Sequence, residues 1–262
     1  MQPEATTFYT TQLQAGLGLI EETKHLLSLY QPEMSSTQLY DQALDSGSFP
    51  NISARRLRNI VSECFSPRYL KPAVAIYLKA IAESASRQPL NQLLLIHTAL
   101  ANTILLDFIA TVYWEKYSSG HDVISTEDAY EFVTHAVAEG KTQKTWSDST
   151  IKRVSSYLLG CCADYQLLST GKVSRRTIQP VRIQLTTSMY LAYWLHFSGL
   201  GDNAIINHES WKLFGLDPFD VREELKKIAK NGWLIVQSAG EVTRVSWQLK
   251  AMEEVINVIT ES

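Results

Sequence analysis

Apolar residues recur at helical spacing along most of this chain. Leu19, Leu26, Leu29 and Tyr30 share a register with Glu22, and Pro32 stops that helix. Ser35 or Ser36 opens a short second helix that ends at Gly47. Ser53 caps a third, with Leu57, Ile60, Val61 and Cys64 turned inward and Arg55, Arg58, Asn59 and Ser62 turned outward. "KPAVAIYLKAIAES" reads as a helix with Pro72 in its first turn, and "STEDAYEFVTHAVAEG" as one that closes on Gly140. Ile151, Val154, Leu158, Cys161 and Tyr165 fall at steps of three and four, leaving Ser149, Lys152, Arg153 and Ser156 on the opposite face.

The period then changes. "LLSTGKVSRRTIQPVRIQL" carries β-branched residues, Gly171 and alternating Arg/Ile, which predicts a two-stranded hairpin. "SMYLAYWLHFSG" returns to helix, and Asn207 is placed to cap "HESWKLFGL". Asp217 and Pro218 start a further helix closed by Gly232, and "WLIVQSAGEVTRVSWQL" predicts a hairpin turning near Ala239–Gly240. Helix, helix and hairpin thus occur twice, the order of tandem winged helices. The expected fold is mainly α, a helical bundle with helix-turn-helix or winged-helix-like units and short β-hairpins. It divides into an N-terminal helical domain, 1–120, containing the basic helix 53–65, and a C-terminal domain, 121–262. The winged-helix-like units of the latter run over about 121–185 and 186–262.

The segment 89–114 is apolar enough to raise the question of a membrane. It carries Asn91, Gln92, His97, Asn102 and Asp107, however, where a spanning helix needs about 20 predominantly apolar residues. A buried central helix is expected, with no membrane partner. The N-terminal "MQPEATTFYTTQL" lacks the basic region and apolar run of a signal peptide, and three cysteines make no disulfide framework, so a cytoplasmic location is expected.

The net charge of −3 is unevenly distributed. Residues 51–88 hold seven Lys/Arg against two acids and 141–182 hold eight against two, while 1–50 and 89–140 are acidic. Clustered positive charge suits a polyanion, because counterion release depends on local charge density. The plainer alternative, on charge alone, is that acidic and basic segments pair within the fold.

Catalytic motifs do not emerge. The six histidines show no metal spacing with one another or with the cysteines, and His97 and His196 read as core imidazoles. There is no nucleophile elbow or P-loop, and "GLGLIE" lacks the third glycine of a dinucleotide fingerprint. No enzyme activity, cofactor or metal is expected. The candidates that remain are DNA contacts. Arg55, Arg56 and Arg58 offer forked donors from one helix. Ser149, Lys152 and Arg153 occupy the first turns of another, where recognition helices present their contacts. Lys172, Arg175, Arg176 and Arg182 are spread along the expected wing. Lys226, Lys227 and Lys230 are interleaved with Glu223 and Glu224, and Glu223–Lys227 forms an i,i+4 pair, so that face reads as solvated.

Four segments in order, "GLGLIEETKHLLSLY", "SARRLRNIVSECFSPRYL", "LLDFIATVYWEKYSSG" and "SDSTIKRVSSYLLGCCADYQLLS", resemble the BrxA family of bacterial BREX phage-defence systems over roughly residues 8–200. The resemblance implies a non-enzymatic, double-stranded-DNA-binding component that works with other BREX proteins. The system methylates host DNA and blocks phage replication, with modification and nucleotide hydrolysis carried by other members. Such proteins have also been described as inner-membrane proteins, against which the polar residues of 89–114 argue. Two rival functions stay open. One is a protein–protein adaptor using Tyr190, Tyr193, Trp194 and Trp211 as anchors; the other is a winged-helix transcriptional regulator.

Overall fold

Hydroxyl and carboxylate caps set the helix starts. In the computed structural model, which describes residues 8–15, 18–84, 89–171, 174–239 and 242–261, the Ser35 side chain accepts from the Gln38 N–H and opens α2 (Ser36–Asp45). Ser53 accepts from the Arg56 N–H and opens α3 (Ala54–Asn59), as its spacing predicts. Before them lies α1 (Ile20–Leu29), ended at Tyr30 by extended backbone. The helix after Ser53 does not stay α-helical: from Ile60 to Leu70 it widens into a π-helical segment containing Pro67, which has no N–H to give its turn. Leu57, Ile60, Val61 and Cys64 are all buried. Pro72 lies in the turn before α4 (Ala75–Glu83) rather than in its first turn, because Ala73 takes a positive φ of 55° and the helix starts only after it.

The expected central helix is broken. α5 (Leu90–Ala101) and α6 (Thr103–Phe108) meet at Asn102, whose φ of −138° and ψ of 79° leave the helical region. The Asn102 side-chain amide donates to the Thr98 carbonyl at 2.8 Å, taking up an acceptor freed at the break. α6 runs through a second π-helical segment (Ile109–Tyr113) into α7 (Trp114–Ser118), and the two arms are bent by 114°. Among the described residues no single helix is long and apolar enough to cross a membrane, although the bent pair together has the length and composition for it. Leu93, Leu94, Ile96, Ile104, Leu105 and Phe108 are buried inside the fold. Buried polar groups along α5 are paired. His97 Nε2 bonds the Tyr190 hydroxyl at 2.9 Å, and Thr98 bonds the Tyr165 hydroxyl at 2.7 Å.

After α7 comes a strand that the hydrophobic pattern does not reveal, β1 (Val123–Ser125). Ser125 and Asp128 form a capping box at the start of α8 (Thr126–Ala138), and Ser147 caps α9 (Asp148–Asp164). β2 (Arg175–Thr177) pairs antiparallel with β1, Ile124 opposite Arg176. On its other side an isolated bridge joins Leu168 to Ile178. Among the described residues the expected hairpin at 167–185 is therefore one bridge deep, and β2 pairs mainly with the strand before α8. α9 is tied back to the N-terminal part by Asp164, which accepts from the Gly18 N–H at 2.8 Å.

The C-terminal part is again helices followed by strands. α10 (Leu185–Phe197) is followed by α11 (Asp202–Ile206), which ends at Asn207, so the cap of the next turn is His208. That turn is a 3-10 helix (Glu209–Phe214). Asp217 caps α12 (Pro218–Lys230) through two backbone N–H groups, with Pro218 at its start. β3 (Leu234–Ala239) and β4 (Val242–Trp247) form the expected antiparallel hairpin; Gly240 of its expected turn lies outside the described residues. α13 (Met252–Glu261) packs on α4 and α10. Among the described residues the fold is mainly α with two short antiparallel sheets, and one cluster of buried hydrophobics extends from Tyr9 to Ile259.

Candidate nucleic-acid interface

α9 is amphipathic as its spacing requires. Ile151, Val154, Leu158, Leu159, Cys161 and Cys162 are buried, which holds the helix against α8 and the N-terminal 3-10 turn (Gln12–Ala15). Ser149, Lys152, Arg153 and Ser156 are exposed on the other face. Burial pushes the Cys161 thiol up to about 12 and the Cys162 thiol well above its ordinary value, so both act as core groups.

Lys152 is not a bare cation. Its ammonium lies 2.8 Å from Asp148 Oδ2, and the Tyr130 hydroxyl of α8 donates to the other oxygen, Oδ1, at 2.8 Å. The Lys152 hydrogen bond, followed by that of Tyr130, draws the Asp148 carboxyl below its usual range, and the same carboxylate raises Lys152. The Asp148–Lys152 spacing of four was legible in the sequence; the reach of Tyr130 across from α8 was not.

The expected wing residues have different surroundings. Arg175 is exposed at the start of β2 and shares a shallow cleft with Lys116, His121, Asp122 and Asp128. Arg176 is half-buried; its Nη1 donates to the Ser169 carbonyl at 3.0 Å, so part of its guanidinium braces the loop. Arg182 is exposed beyond the strands, its carbonyl held by the Gln92 side chain at 2.7 Å. Lys172 lies outside the described residues.

Arg55, Arg56 and Arg58 are exposed on α3, which packs on α2 and the first π-helical segment, a different neighbourhood from that of α9. The Arg58 guanidinium lies over the Tyr40 ring, 4.8 Å from its centroid, which fixes its direction while leaving donors free. The basic count of 51–88 overstates the surface charge, since Arg68 is buried at 2% exposure. On α12, Lys226 pairs with Glu223 and Lys227 with Glu224, both three residues apart rather than four, so two of its three lysines are matched by neighbouring acids.

His97 is fully buried, as its place in an apolar helix predicts. Burial pushes it down to about 3, so it is a neutral core imidazole. Of the four expected docking anchors, Tyr190, Tyr193 and Trp211 are buried, with exposures of 1% or less, and pack the core, while Trp194 is half-buried.

The fold is shared with a crystallised, uncharacterized protein from Magnetospirillum magneticum. The TM-score is 0.57 and the identity 13%, over 79% of this chain and 97% of that one. No curated protein is matched. The BrxA family model matches residues 7–193, well over half of the length, and the chain belongs to the BrxA family.

Proposed function

We propose that this chain, BREX-associated through its family, is a non-enzymatic component that binds double-stranded DNA, largely through phosphate contacts. In this reading α8 and α9 act as a helix-turn-helix pair, with α9 presented to the major groove and β2 with its loop as the wing. The order α7, β1, α8, α9, bridged arm, β2 is that of a winged helix and supports the reading. The observation that carries it is the outward face of α9, where Ser149, Lys152, Arg153 and Ser156 are exposed together while the inward face is wholly core.

Arg55, Arg56 and Arg58 add a second set of phosphate contacts from α3, and Arg175 with Arg182 extends the first. Lys172 belongs with the wing on its charge alone. The DNA so held is positioned for other BREX proteins, which carry the chemistry. A mobility-shift titration on the full chain tests the assignment. Charge reversal at Arg55, Arg56 and Arg58, or at Arg175 and Arg176, weakens binding in this reading; unchanged binding in both sets means the DNA is held elsewhere.

A further inference from the structure

The first turn of α9 carries a group that a purely phosphate-gripping surface has no use for. Asp148 is the first residue of the helix, with its side chain 60% exposed, and it stands beside Lys152, 67% exposed. A carboxylate so placed repels phosphate. It is also oriented, since Tyr130 and Lys152 each donate to a different oxygen at 2.8 Å. Each carboxylate oxygen has more than one lone pair, so an oriented Asp148 retains acceptor capacity toward solvent.

The chemistry of that pair has a counterpart in the major groove. A cytosine presents its N4 amino donor there, and the guanine paired with it presents the O6 and N7 acceptors alongside. Acidic side chains accept from cytosine N4, and lysine donates to guanine O6/N7. An acceptor and a donor fixed side by side, 2.8 Å apart, match the donor and acceptor that a single C·G pair sets side by side. The first turn of a recognition helix is where base edges are read. We therefore propose that Asp148 and Lys152, braced by Tyr130, read one C·G base pair, so that binding otherwise dominated by phosphates acquires a preference at one position. The inference rests on the DNA-binding reading above.

A merely structural role for Asp148, favouring the positive end of the helix dipole, makes a different prediction. It lets Asp148→Ala change binding to every duplex by the same factor. The test selects duplexes from a randomised library with the full wild-type chain at fixed salt. The selected duplex, and the same duplex with its preferred C·G pair changed to T·A, are then titrated by fluorescence anisotropy. The wild type is expected to bind the altered duplex roughly 5- to 100-fold more weakly. Asp148→Ala is expected to bind both duplexes while that ratio collapses toward one, and Lys152→Gln to bind both more weakly with the same collapse of the ratio. Salt-dependent binding without an enriched position, or a ratio unmoved in both variants, overturns the base-reading role and leaves the DNA-binding reading standing. No wild-type binding to any duplex overturns both.

Discussion

Gly215 joins the C-terminal half of the chain to α7 where the approach is too close for any side chain. Its φ is +68°, and a Cβ there would lie 2.7 Å from Trp114 Cδ2 and 2.9 Å from Cε2. The Trp114 ring is itself fixed, because its Nε1 donates to the Leu213 carbonyl at 3.1 Å and it packs in T-shaped contacts with Tyr113 and Tyr117. Gly215→Ala therefore incurs two costs. The left-handed backbone costs a non-glycine residue about 1–2 kcal/mol. Displacing a packed ring adds about 1–3 kcal/mol of overpacking, giving about 2–5 kcal/mol in all. Gly199 supplies the control: its φ is +88°, but nothing lies within 4 Å of where its Cβ would be. Gly199→Ala should cost only the backbone strain, about 1–2 kcal/mol. Urea unfolding followed by far-ultraviolet circular dichroism measures both. Equal losses in the two variants would show that Trp114 yields freely and would refute the packing argument.

Burial holds His97 neutral in the folded chain, down to about 3, while the unfolded chain takes up a proton near 6.5. The unfolded state binds more protons between those values, so the contribution of His97 to stability is lost as pH falls from about 6.5 toward 3. The limiting slope is about 1.4 kcal/mol per pH unit. Urea titrations at pH 7 and pH 5 should show a larger drop for the wild type than for His97→Gln, and equal drops would contradict the assignment. Asp217 satisfies the N–H groups of Phe219 and Asp220 at 2.7 and 2.9 Å, so Asp217→Ala should lower stability by about 1–2 kcal/mol, while Asp217→Ser restores most of it.

The helices were legible wherever a cap and an apolar stripe agreed, as at Ser53, Ser125 and Asp217. The outward face of α9 was legible for the same reason. The break at Asn102 was not, because Asn102 was countable as one polar residue among several in an apolar stretch, and its non-helical backbone with the bond to the Thr98 carbonyl shows only in the fold. β1 was hidden as well. Three residues are too few for a period of two to register, and its partner is some fifty residues away. Among the basic residues of 51–88 and 141–182, charge was countable in the sequence but its surroundings were not. Arg68 is buried, Arg176 partly braces a loop, and Lys152 shares its charge with Asp148. Tyr130 escaped notice because it reaches Asp148 only after α8 and α9 have packed.

The most direct test of DNA binding is its salt dependence on a generic duplex, measured by anisotropy for the full chain and for the Arg55, Arg56 and Arg58 triple glutamine variant. The wild type should lose affinity linearly in log–log form. The variant should show a slope shallower by about 0.9 for each phosphate it no longer neutralises, up to about 2.7 for three. Binding that is absent, or that ignores salt in the wild type, would contradict DNA binding through these basic surfaces.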